Sequence, residues 1–332
     1  MSETYINFLL EYGLFLLKTV TVVFGLIILL GFIANAKKNK SYGSLKIKKL
    51  NDELDEYEDS IKKNTLNKVK YQKYLKAKKL SKKDKSDKKI FILDFKGNIK
   101  ASEVTSLREE ISSIILAASK HDEVLIRLEN SGGTVHEHGL AASQIKRLKK
   151  HKINVTVSVD KVAASGGYMM ACVANKIIAA PFAIVGSIGV LAQLPNFNRL
   201  LTKKGIDFEQ QQAGDYKRTV TMFGKNTNSQ RKKLKEQLED VHELFKNFIK
   251  NERPKVNIKK VSTGEYWYGE RAKNLNLIDE IMTSDEFILE KKVNYELIKV
   301  EYALPKSISD KISAISSKII KNILDNLTLN RA

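Results

Sequence analysis

"DKVAASGGYMMACVANKIIAA", residues 160–180, reads as a strand end, a glycine turn, a short helix and a further strand. Ser165 lies there between two alanines and two glycines, so nothing bulky shields its hydroxyl. Helical spacing follows over residues 168–174. A serine at such a junction caps a helix through its side-chain oxygen. Alternatively it is a nucleophile, because the helix start leaves backbone N–H groups free and partially positive, and the Gly166 N–H would face a nascent oxyanion. The local pattern leaves both readings open.

Working outward, "IFILDF" (90–95), "EVLIRL" (123–128) and "INVTVSV" (153–159) are apolar runs of strand length. Between the first two, Val104, Leu107, Ile111, Ile114 and Ile115 share one helical face, and a second helix is expected through Leu140 and Ile145. "KIIAA" (176–180) and "AIVGSIGVLA" (183–192) read as further short strands. An amphipathic helix over 229–250 and "YWYGERAKNLNLIDEI" (266–281) close the domain. This strand–helix rhythm predicts an α/β domain with helices packed on a mostly parallel sheet.

The loop "ENSGG" (129–133) repeats the arrangement around Ser165: it follows a strand, precedes a helix and carries two glycines. Each turn alone is an ordinary strand-to-helix connection. Two at neighbouring strand ends supply backbone donors from two directions, as an oxyanion hole requires. A serine needs a base to take its proton. No histidine lies between His151 and His242, and neither of those is in a glycine turn. Lys217 in "AGDYKRT" (213–219) is the better candidate, although its pattern alone does not set it apart from the 58 Lys and Arg of the chain.

Residues 12–34 carry a single charge, Lys18. Twenty-three residues at about 1.5 Å each span a bilayer core of about 30 Å. No small-residue cleavage site follows, so residues 1–36 are read as a retained transmembrane anchor that contacts lipid. Glu3 and Glu11 precede the span while Lys37, Lys38 and Lys40 follow it, and the positive-inside bias places the bulk of the chain in the cytoplasm. Residues 37–89 form a Lys-rich arm and linker with 19 Lys against 8 Asp and Glu. Leu50, Leu54, Tyr57 and Ile61 fall there at coiled-coil spacing. This segment holds just over half of the net charge of +20, lacks arginine and matches no nucleic-acid motif, so no nucleic-acid partner is expected. A single Cys172 excludes a disulfide framework and a multi-cysteine zinc site, and the five histidines lack metal spacing. No metal and no cofactor is expected. Residues 90–290 form the main domain, and 291–332 a terminal strand with an amphipathic helical tail.

"EYGLFLLK", "FILDFKG", "LREEI", "AASGGYMMACVA", "PFAIVGSIGV", "AGDYKRT", "TGEYWYG" and "DEI" occur in this order almost to residue 290. In this the chain resembles the signal peptide peptidase A family of serine peptidases. The resemblance implies a ClpP/crotonase-like α/β fold of repeated ββα units, preceded by the transmembrane helix and helical arm. It further implies a Ser–Lys dyad: Ser165 as nucleophile, Lys217 as general base and Ser187 as the residue that orients the lysine. Gly166 with Gly132 or Gly133 matches the oxyanion hole. Family members assemble into homo-oligomeric rings or domes and act on peptides, which implies a bacterial inner-membrane endopeptidase cleaving signal-peptide remnants or other extended apolar peptides. The family's association with secreted-peptide turnover points to the outer face, against the lysine bias. One departure stands out: the family's S-P-G-G is Asn130-Ser131-Gly132-Gly133 here. Losing the proline removes a preset φ. Two alternatives to a peptidase are a non-catalytic membrane scaffold and a crotonase-type acyl-CoA enzyme.

Overall fold

The computed structural model describes residues 2–38, 43–81 and 87–304. The chain divides into two units, and the first holds a helix α1, Ser2–Lys38. Its stretch Leu10–Ile27 has a mean hydropathy of 1.7, carries no buried residue and is long and apolar enough to cross a bilayer. The expected helical tail past Ser307 lies outside the described residues.

The second unit, Leu45–Tyr302, is built on one sheet. In chain order its elements are β1 (Ser44–Lys49), α2 (Leu50–Thr65), α3 (Lys68–Ser81), β2 (Lys89–Gly97), α4 (Val104–Ala117), β3 (Glu123–Asn130), α5 (Val135–Lys150) and β4 (Asn154–Val159). There follow β5 (Val162–Ala164), α6 (Gly166–Ala171), β6 (Lys176–Ala179), β7 (Ile184–Gly186), α7 (Asn198–Lys203), α8 (Asn228–Glu252) and α9 (Ile258–Val261). The unit ends with β8 (Tyr266–Tyr268), α10 (Gly269–Asn274), β9 (Glu280–Ile281), α11 (Ser284–Lys291) and β10 (Glu296–Ala303).

The long strands run in the order β1-β10-β2-β3-β4-β6-β9, and every pairing from β10 to β9 is parallel. Strand alternation sorts their side chains onto two faces. Phe91, Leu93 and Phe95 of β2 join the large core with Leu107 and Ile111 of α4, Ile145 of α5 and Met170 of α6. Ile90 and Ile92 face the other way, onto a smaller core with Phe287 and Ile288 of α11. Burying both faces explains why these strands are apolar throughout.

The expected strand–strand–helix repeat is present. β4 passes through Asp160 and Lys161 into the short β5 and then α6, and β6 leads in the same way into β7. The short strands build a side branch: Ala163 of β5 pairs with Asn130 at the end of β3, β5 runs parallel to β7, and β7 is antiparallel to β8. This branch brings the two glycine turns together.

Two expectations change. The arm is a pair of helices, because Asn67 accepts the Lys70 N–H at 2.9 Å and starts α3 afresh. Leu50 and Leu54 pack on the smaller core while Tyr57 and Ile61 stay exposed, so the apolar repeat docks on the domain instead of continuing as a coiled coil. Asn51 clamps that docking by accepting the Leu297 N–H at 2.6 Å and donating to the Tyr295 carbonyl at 3.1 Å. The strand expected over 183–192 shrinks to Ile184–Gly186. Ser187 takes φ 51° and leaves the ladder there, and β5 and β8 occupy both edges of what remains.

Candidate active site

Ser165 follows β5 and begins α6, which starts two residues earlier than the spacing predicts and ends at Ala171. Its backbone adopts φ 52°, ψ −117°, a region that costs a non-glycine residue about 1–3 kcal/mol. Its side chain makes no capping hydrogen bond, so the cap reading fails. Instead the backbone is held: the Ser165 N–H donates to the Gly186 carbonyl at 2.7 Å, and the Ser165 carbonyl accepts from Met169 at 3.0 Å. Among the described residues only five non-glycines have positive φ, and two of them are Ser165 and Ser187.

The turn after β3 packs directly on this serine. Gly132 has φ +95°, and a Cβ added there would lie 2.7 Å from the Ser165 Cβ and 3.1 Å from the Gly166 nitrogen. Only glycine lets the two turns approach so closely. A Cβ on Gly166 would strike the His138 ring at 2.4 Å, and one on Gly167 the Asn130 carbonyl oxygen at 2.3 Å. Three glycines of the two turns are thus fixed by contact.

The donors divide unequally. The Gly132 N–H is already engaged, donating to Asn130 Oδ1 at 2.7 Å. The N–H groups of Gly133 and Gly166 have no acceptor among the described residues. Of the three candidate glycines, Gly132 therefore supports the turn while Gly133 and Gly166 hold the free donors.

Ser187, one residue beyond the carbonyl that holds Ser165, donates its N–H to the Glu265 carbonyl at 2.7 Å. Its hydroxyl donates to the Gly264 carbonyl at 3.4 Å. Lys217 lies apart from these contacts, on a long exposed excursion between α7 and α8. Asn196 and Asn198 tie the base of that excursion to the Thr221, Gly224 and Phe223 carbonyls, and Phe223 meets Phe197 and Phe208 at ring distances of 6.1 and 5.7 Å. Lys217 Nζ has no hydrogen bond or ion pair among the described residues. Phe208 and Tyr216 are exposed along the same excursion, and Leu191 and Leu200 are exposed before α7 and on it. Asn130 and His138 belong to this centre, yet neither stands out in the sequence as a site residue. The one available hint is that His138 falls on the inward stripe of α5 with Ala141, Ala142 and Ile145.

Comparisons with known proteins place the chain in a family. Residues 7–145 match the peptidase family S49 N-terminal model, and residues 147–297 match the peptidase family S49 model. The chain belongs to peptidase family S49. It is similar to the probable protease SohB of Buchnera aphidicola subsp. Acyrthosiphon pisum, 52% identical over 93% of this chain and 94% of that one. It is also similar to the probable protease SohB of Haemophilus influenzae, 46% identical over 96% of each. Among solved structures, a mutant of the membrane-bound stomatin-specific protease 1510-N, in complex with a substrate peptide, is 15% identical. That match covers 71% of this chain and 99% of the other, with a TM-score of 0.43. The S49 chain described here is accordingly a serine-type peptidase, a hydrolase.

Proposed function

We propose that this S49 peptidase is a membrane-anchored endopeptidase working through Ser165 and Lys217. Ser165 Oγ attacks the peptide carbonyl carbon while neutral Lys217 takes its proton. The oxyanion is met by the Gly133 and Gly166 N–H groups. Collapse expels the amine, which receives a proton from the lysine, and water then hydrolyses the acyl-enzyme by the same route. Ser187 orients the lysine amine. The observation that carries this reading is the Ser165 backbone: a strained φ of 52° and an uncapped hydroxyl, at a pair of packed turns where the Gly133 and Gly166 N–H groups have no acceptor among the described residues. Strain at a serine whose hydroxyl makes no capping bond is characteristic of a nucleophile turn.

Lys217 reaches its working state in an assembly. Phe208 and Tyr216 are exposed on its excursion, and Leu191 and Leu200 on and before α7, an apolar surface that a second copy would cover. A homo-oligomer, ring or dome, is therefore part of the proposal. The anchor places the enzyme in the bacterial inner membrane as a single-pass protein, which suits extended apolar peptides such as signal-peptide remnants. The span is long enough for this assignment, and the lysines that follow it favour a cytoplasmic domain.

The test is hydrolysis of an extended apolar peptide by the full chain in detergent. Ser165→Ala is expected to lower kcat by at least about 10³-fold. Turnover within a few-fold of the unsubstituted chain would contradict the proposal.

A further inference from the structure

Asn130 and His138 are 1% and 0% exposed, polar residues fully inside the domain. Buried polar groups persist where hydrogen bonds hold them. Here the bonds converge on one atom, since Asn130 Oδ1 accepts the Gly132 N–H at 2.7 Å and lies 3.0 Å from His138 Nε2. The assignment of that atom as oxygen follows from the Gly132 N–H, which requires an acceptor. His138 Nδ1 lies 2.9 Å from the Thr134 carbonyl, at the far end of the same turn. A neutral imidazole carries one N–H and donates to only one of these two oxygens; the tautomer with its proton on Nε2 donates to Asn130 Oδ1 and leaves Nδ1 near the Thr134 carbonyl without a hydrogen bond. The ring also packs against the Cα of Gly166, where an added Cβ would meet it at 2.4 Å.

We propose that Asn130 and His138 are a positioning pair that holds the Gly133 N–H and the Gly166 N–H in register over Ser165. The proposal rests on the reading of Ser165 as nucleophile. Neither residue touches the substrate; both act through the glycines. Asn130 Nδ2 supports a role centred on the oxygen, because it is buried with no partner. A side chain chosen for packing alone would not need to bury an unpaired donor.

The experiment compares Asn130→Ala, His138→Leu and His138→Gln in the full chain in detergent, with an extended apolar peptide as substrate. Glutamine retains an N–H able to reach Asn130 Oδ1. Misplacing one oxyanion donor should lower kcat about 10- to 100-fold in the first two variants, with KM changed by less than about threefold. His138→Gln should recover kcat to within about fivefold of the unsubstituted chain. Folded His138→Leu with undiminished kcat would overturn the proposal, as would equal losses in the leucine and glutamine variants. Recovery of both Asn130→Ala and His138→Leu only in unfolded form would assign the pair to core stability and overturn it as well. If instead Ser165→Ala still hydrolyses the peptide at the unsubstituted rate, the nucleophile reading fails, an outcome distinct from a failure of the pair alone.

Discussion

Lys217→Ala is expected to lower peptide turnover by about 10²- to 10⁴-fold, the range contributed by a general base. Its stability should change by less than about 0.5 kcal/mol, because an exposed side chain without partners contributes little to the folded chain. Lys217 has no hydrogen bond or ion pair among the described residues. Neighbouring Tyr216 is held separately, with Lys233 Nζ 4.6 Å from its ring centroid, so the excursion keeps that tie to α8 when Lys217 is shortened. Loss of turnover without loss of fold therefore identifies chemistry. Lys217→Arg sharpens the test: a guanidinium keeps the charge but is not deprotonated in proteins. It should be as inactive as alanine, whereas a lysine needed only as a cation would tolerate the exchange. Size-exclusion chromatography with light scattering should give the same oligomer for all three proteins. Full turnover in Lys217→Ala would refute the dyad and favour a scaffold or an acyl-CoA enzyme, neither of which needs this lysine.

Gly132→Ala should be nearly as damaging, for a geometric reason. The new methyl would lie 2.7 Å from the Ser165 Cβ and 2.9 Å from the Ala164 carbonyl oxygen. Neither neighbour is the flexible end of a long side chain, so the turn itself must move. At φ +95° an L-residue is also strained, which adds about 1 kcal/mol or more. Displacing the turn carries the adjacent Gly133 N–H away from the oxyanion. Losing one such donor costs about 10²- to 10³-fold in kcat. The outcome is read as kcat/KM on the same apolar peptide, with circular dichroism to verify the fold. Gly205→Ala is the control: it also sits at positive φ, 70°, but has no heavy atom within 4 Å of an added Cβ. It should lose stability and retain catalysis. Equal activity in the two variants would remove the close approach of the turns from the account.

How much of this is legible in the sequence follows from which forces are local. The strands of the large core announce themselves because burial on both faces leaves unbroken apolar runs such as "IFILDF". The two glycine turns are legible because close backbone approach excludes every other residue. The Asn130–His138 link is not. It joins a strand end to the next helix eight residues on, and an asparagine before Ser-Gly-Gly reads equally well as turn chemistry. The length of β7 is hidden because Ser187 leaves the ladder through a positive φ that its sequence neighbours do not signal. Leu50 to Ile61 reads as a short coiled coil because Leu50 and Leu54 have the spacing that a partner helix would require, whereas their partner is the smaller core of the same chain.

Covalent labelling of the full chain in detergent with a fluorophosphonate, followed by peptide mapping, bears on the nucleophile most directly. The account predicts one adduct per chain, on Ser165. An adduct on another serine, or none on Ser165 in folded protein that still hydrolyses peptides, would contradict it.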